Sequence, residues 1–135
     1  MYNNILIPLV LDENHSPDNA LAVARAIAAD GAKITLFHVI EELPGYAKAY
    51  VTSDFLENST SDLSKELERL AETLPGGQSV VTTGHSARSI LDYAENNSID
   101  CVIVSSHKPG VQDYFLGGTA ARVVRYSQCA VHVIR

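Results

Sequence analysis

The feature that most constrains this chain is a pair of unbroken apolar runs, Ile5-Leu6-Ile7-Pro8-Leu9-Val10 near the start and Cys101-Val102-Ile103-Val104 near the end. A strand with one wet face alternates apolar and polar side chains. These runs do not alternate, so they read as strands buried on both faces, the setting of a parallel sheet. Parallel neighbours cannot be joined by a tight hairpin and need a crossover, usually a helix, between them.

The intervening sequence supplies those crossovers. Asp18 to Ala29 is alanine-rich, with Leu21, Ala24 and Ala28 at helical spacing, and Asp30-Gly31 reads as its glycine stop. Lys33 to Ile40 is a second strand. The segment Glu41 to Ser53, with Pro44, Gly45, Tyr46 and Tyr50, reads as a loop or a loop with a short helical turn. Phe55, Leu56, Leu63, Leu67, Leu70 and Leu74 predict a helix over most of Asp54 to Leu74, closed by Pro75-Gly76-Gly77. Gln78 to Thr83 is a third strand. Ser86 is placed to cap a helix whose Ile90, Leu91 and Ala94 face the core and which frays at Asn96-Asn97-Ser98. After the Cys101 to Val104 strand, a helix over Thr119 to Tyr126 turns Val123 and Val124 inward, and Ala130 to Ile134 is the fifth strand. Strands alternating with helices from end to end predict an α/β fold, a five-stranded parallel sheet with helices on both faces.

Length and composition agree with one domain over residues 1–135, since 135 residues with 46% hydrophobic content build one sizeable core. No run of about 18 apolar residues is present, and Met1-Tyr2-Asn3-Asn4 lacks the basic and apolar segments of a secretory signal, so a soluble, cytoplasmic protein is expected. A net charge of -6 with scattered basic residues argues against nucleic-acid and membrane partners. Cys101 and Cys129 fit no metal-ligand or redox spacing and read as two buried, reduced thiols.

In open α/β sheets ligands settle beyond the C-terminal ends of the strands. The richest such stretch is Ser105-Ser106-His107-Lys108-Pro109-Gly110, followed after Leu116 by Gly117-Gly118-Thr119. Two glycines at a helix start let backbone approach a ligand, and free N–H groups with the positive end of the helix dipole favour phosphate. Thr119 offers a hydroxyl, and His107 and Lys108 offer donors and charge. The competing reading is a plain turn with Thr119 as a helix cap. Neither a P-loop nor a Gly-x-Gly-x-x-Gly fingerprint is present. His15, His38, His85, His107 and His132 show no pairing with a nucleophile and no metal spacing, so no catalytic or metal residue is assigned.

Three stretches, Met1 to Pro8, Phe37-His38-Val39-Ile40 and Val104 to Arg135, resemble the universal stress protein family, the last nearly throughout. The likeness is closest to the short bacterial branch whose loop reads Ser-His-(Arg/Lys)-Pro, here Ser106-His107-Lys108-Pro109. The resemblance implies a Rossmann-like sheet of strand order 3-2-1-4-5 and binding of ATP, with or without magnesium. It also implies a stress-response regulator acting through nucleotide occupancy, with at most slow hydrolysis. Pro8, Leu9, Val10 and Val39 would border adenine and ribose, together with the Gly84-His85-Ser86 turn through Gly84. Ser105, Ser106, His107 and Lys108 would hold phosphates with Gly117, Gly118 and Thr119. The chain departs from the family's Gly-x2-Gly-x9-Gly-(Ser/Thr) pattern by carrying Ser105 and Lys108 at the first two glycine positions, and it has Val10 where many members carry Asp. A homodimer through Ala130 to Ile134 is implied as well. The alternative is a homodimeric interaction module of the same fold that binds no nucleotide; a third reading, an adenylate-using enzyme, lacks a catalytic pair.

Overall fold

The computed structural model describes residues 1–11, 16–41, 45–48, 53–106 and 117–135, with only backbone described for 47, 48 and 53–56. In chain order the elements are β1 (Tyr2–Pro8), α1 (Asp18–Ile27), β2 (Ala28–Ile40), α2 (Gly45–Lys48), α3 (Ser53–Glu72), β3 (Gly77–Thr83), α4 (Ser86–Asn96), β4 (Cys101–Ser105), α5 (Gly118–Tyr126) and β5 (Ala130–Ile134). All four strand pairings are parallel and the order is β3-β2-β1-β4-β5, as the sequence and its resemblance predict.

The unbroken apolar runs are explained by alternation across a doubly covered sheet. Ile5, Ile7, Ile34, Leu36, Cys101 and Ile103 face one layer, where Leu21 and Ala24 of α1 and Leu67 and Leu70 of α3 pack on them. Leu6, Phe37, Val102 and Val104 face the other, against Ile90 and Ala94 of α4 and Ala120 and Val123 of α5. The chain builds outward from β1 through β2 to β3, then returns across β1 to lay down β4 and β5. Strand order therefore reverses between β1 and β4, with right-handed crossovers placing α1 and α3 on one face and α4 and α5 on the other.

Several local expectations are corrected. Ala28 already has extended dihedrals (φ -74, ψ 133), so α1 ends at Ile27, four residues before Gly31. Gly31 (φ 77) instead lies within β2, where the register with β1 jumps from Tyr2↔Ala28 to Asn4↔Lys33. Its positive φ lies in this register irregularity, where β2 advances five residues against two of β1, rather than at a helix stop. β1 stops at Pro8, and Leu9 continues the path with its N–H donating to the Phe37 carbonyl at 2.8 Å. Ser86 is the first residue of α4 rather than its cap: the His85 Nδ1 accepts from the Arg88 N–H at 3.4 Å. Val124 is 42% exposed while Val123 is fully buried, because in a nine-residue helix on a flat layer only one of two adjacent positions faces inward. Cys129 is only half-buried, unlike Cys101.

Two polar devices fix the end of the sheet away from the strands' C-termini. The Asp100 carboxylate accepts the Asn3 and Asn4 N–H groups at 2.8 and 3.0 Å, while the Asp100 N–H donates to the Asn4 carbonyl at 2.9 Å. The Asn4 side-chain amide donates to the Asn97 and Ser98 carbonyls at 2.9 and 3.2 Å. Between α3 and β3, Gly76 (φ 70) makes the turn that sets its carbonyl 3.0 Å from the Ile34 N–H. A Cβ there would collide with the Ala32 carbonyl oxygen, so glycine is required for both conformation and space.

Candidate functional site

At the C-terminal ends of β1 and β4, where strand order reverses, the described residues enclose a cavity of about 490 Å³. A volume of this size lies within the usual range for small-molecule sites, and its place at the switch point is where doubly wound folds bind ligands. β1 contributes Pro8 and, just beyond it, Leu9 and Val10. β2 contributes Phe37, His38 and Val39, and β4 with its following residue contributes Val104, Ser105 and Ser106. Gly117, Gly118, Thr119 and Ala120 close the wall from α5.

Nine of the twelve residues expected from sequence thus meet around one cavity. Gly84 does not line it: the Gly84 N–H donates to the Ile40 carbonyl at 2.9 Å, and the residue forms the turn from β3 to α4. His107 and Lys108 lie outside the described residues. Of the expected Gly84-His85-Ser86 turn it is Ser86 that reaches the wall, and the structure adds Ser16 and Pro17 before α1 and Ile90 of α4. Ser86 is legible from its position directly after the third strand's turn. Ser16 carries no such signal, since it becomes a wall residue only because α1 starts beside β1.

The electrostatics come from backbone. Among the described residues the wall carries no Asp, Glu, Lys or Arg. The helices α1, α4 and α5 all present their N-terminal ends to the cavity, through Ser16 and Pro17, through Ser86, and through Gly117 to Ala120. Asp18 in the first turn offsets the dipole of α1, whereas α4 and α5 have no acidic residue in theirs. At α5 the cap is Gly117, which has no side chain to cap with, so among the described residues no side chain takes the first N–H groups of the helix. Gly118 and Thr119 are exposed. Thr119, the second residue of α5, does not cap the helix.

Hydroxyls also line the cavity. Ser106 is buried, with both its N–H and its Oγ donating to the Ile134 carbonyl at 2.8 and 3.1 Å, which leaves the Oγ lone pairs to accept. The Ser86 Oγ donates to Glu41 Oε1 at 2.8 Å. The Ser16 Oγ accepts the Asp18 N–H at 3.3 Å and keeps its own proton to donate. Ser105, exposed on the rim, carries a hydroxyl where glycine is expected from the family pattern. Pro8, Leu9, Val10, Val39 and Ile90 add apolar lining, so the cavity combines greasy surface with helix termini that favour an anion.

No group of three or more His, Cys, Asp or Glu able to hold a metal occurs among the described residues. No described helix is long and apolar enough to cross a membrane.

The family model for the universal stress protein family matches residues 1–135. Universal stress protein A homolog 2 of Coxiella burnetii is 30% identical over 141 residues, covering 99% of this chain and 95% of that protein. Among solved structures, the universal stress protein UspA from Lactobacillus plantarum superposes with a TM-score of 0.74 at 22% identity, covering 99% of this chain and 98% of that one. The universal stress protein from Archaeoglobus fulgidus in complex with dAMP gives a TM-score of 0.65 at 16% identity, covering 99% and 98%.

Proposed function

Since the chain belongs to the universal stress protein family over its whole length, we propose that its cavity binds an adenine nucleotide, ATP with or without magnesium, and that occupancy of this site is the signal the protein carries in a cytoplasmic stress response. The observation that carries the reading is the uncapped, acid-free N-terminus of α5, with Gly117 and Gly118, opening onto a cavity at the switch point of the sheet. Phosphate oxygens accept from the free N–H groups there, assisted by the Thr119 hydroxyl, and the base lies on the apolar side toward Leu9 and Val39. A relative that holds dAMP is consistent with that class of ligand.

Calorimetric titration with ATP, AMP and GTP, with and without magnesium, tests the proposal together with a Gly118→Glu variant. A Cβ at Gly118 meets nothing within 4 Å, so the variant folds and puts a carboxylate at the helix terminus. Saturable ATP binding that Gly118→Glu weakens at least about tenfold is the expected result. No heat with any nucleotide sinks the proposal and leaves the interaction-module reading. For assembly, β5 is an edge strand paired on one side only, with Val131, Val133 and Ile134 half-buried in the single chain. Such an edge favours pairing with a second copy, and sedimentation of a dimer at micromolar concentration is expected; a monomer refutes that part.

A further inference from the structure

His38 stands on the cavity wall. Its Nδ1 lies 2.8 Å from the Leu9 carbonyl oxygen. A carbonyl only accepts, so Nδ1 carries the proton and the neutral ring leaves Nε2 as a bare acceptor. The bond also fixes the ring, because Leu9 is itself held by its N–H on the Phe37 carbonyl at 2.8 Å. The Leu9 peptide is thus gripped from both sides by consecutive residues of β2. An imidazole held in this way has one tautomer and one orientation. The other polar side chains on the wall are hydroxyls, which rotate and both donate and accept. In its neutral form His38 is the described wall side chain that accepts without donating at its free end.

We infer that His38 is a specificity residue of this cavity, reading a hydrogen-bond donor on the ligand through Nε2. The inference rests on the nucleotide reading above. On an adenine nucleotide the donors are the exocyclic amino group and the ribose hydroxyls; what His38 requires of either is an N–H or O–H placed in the plane of its ring. A ligand group offering only lone pairs at that spot is rejected, since two acceptors face each other in a half-buried site.

The test uses His38→Asn. The asparagine amide nitrogen takes the place of Nδ1 and keeps the bond to the Leu9 carbonyl, while nothing replaces Nε2. Titrations of wild type and variant with ATP, 2′-deoxy-ATP, 3′-deoxy-ATP and N6,N6-dimethyl-ATP are compared, with thermal melting as the check on folding. The expected result is about a tenfold loss of ATP affinity in the variant. One of the three analogues should bind wild type equally weakly and bind both proteins alike, and which analogue does so identifies the donor. Where the variant fails to fold, 15N imidazole spectra of the wild type decide. Nδ1 should be protonated without ligand, and the Nε2 resonance alone should move when ATP is added. ATP binding to His38→Asn at wild-type affinity, or a ring protonated at Nε2 in the free neutral protein, overturns the inference while leaving nucleotide binding intact. A wild type that binds no nucleotide overturns both.

Discussion

Removing the Asp100 carboxylate isolates what the polar end of the sheet contributes. The side chain receives two backbone N–H groups, that of Asn3 at an exposed position and that of Asn4 at a half-buried one. Hydrogen bonds to a charged acceptor are worth more than neutral ones when shielded and little when wet, so the pair contributes about 2 kcal/mol, most of it through Asn4. Asp100→Ala should cost that amount, and the Asn4 N–H is left without an acceptor. Asp100→Asn keeps one acceptor oxygen and should lose about half as much. With an unfolding entropy of about 2.1 cal/mol/K per residue, a chain of 135 residues shifts in Tm by about 3.5 °C per kcal/mol, so the expected drops are about 7 °C and about 3.5 °C. Calorimetric melting measures these, and urea titration should show the same ordering at unchanged m-value. Asp100 precedes β4 at the end of the sheet remote from the cavity and does not line it. A melting point for Asp100→Ala within about 2 °C of wild type would refute the assignment of stability to these bonds.

Gly76→Ala should destabilise by several kcal/mol, on the order of 3 or more, since it adds both a positive-φ penalty and a collision with the Ala32 carbonyl; a soluble variant melting like wild type contradicts this. Burial, with smaller effects of Cys129 and Asp100, pushes the Cys101 thiol up to about 11 from 9.0. Reaction with Ellman's reagent at pH 8 should therefore show Cys129, half-buried, modified first and Cys101 only on unfolding. The sign of the linkage follows: the folded state holds this proton more tightly, so the associated stability is intact below about pH 9 and lost as pH rises through 11, which alkaline melting curves of wild type and Cys101→Ala should separate. His85→Ser supplies a better cap for α4 and should raise stability by about 1 kcal/mol, read as a higher urea midpoint.

Much of the fold was legible because a doubly covered strand leaves an unmistakable pattern. Cys101 to Val104 cannot be anything else once the neighbouring segments read as helices, and β5 matches its expected bounds. Positions that failed did so where local signals compete with tertiary pairing. Gly31 looks like a helix stop in isolation, yet pairing of Ala28 with Tyr2 recruits the residues before it into β2. His85 caps α4 although serine at the next position is the stronger capping residue type, because the backbone leaving β3 is still extended at His85 (φ -86, ψ 127). Within the site, the strand-end residues and the glycines of α5 were readable from position alone. The role of His38 was not, since its meaning depends on a carbonyl 29 residues away.

The alternation that covers β1 on both faces has a further effect. In a strand with one polar face, a slip of one residue is punished at once, because it turns every apolar side chain toward water. In β1, Ile5, Leu6 and Ile7 are all fully buried, so a slipped strand would still be greasy on both sides and hydrophobicity barely encodes which residue stands opposite which. That information is carried instead by polar atoms: the Asp100 carboxylate and the Asn4 amide recognise one alignment of β1 against β4, with Ile5 opposite Cys101. The alignment is then transmitted along about 15 Å of strand to Leu9 and Val10. The spacing of the cavity's two walls is written at the far end of the sheet, in residues that do not line it.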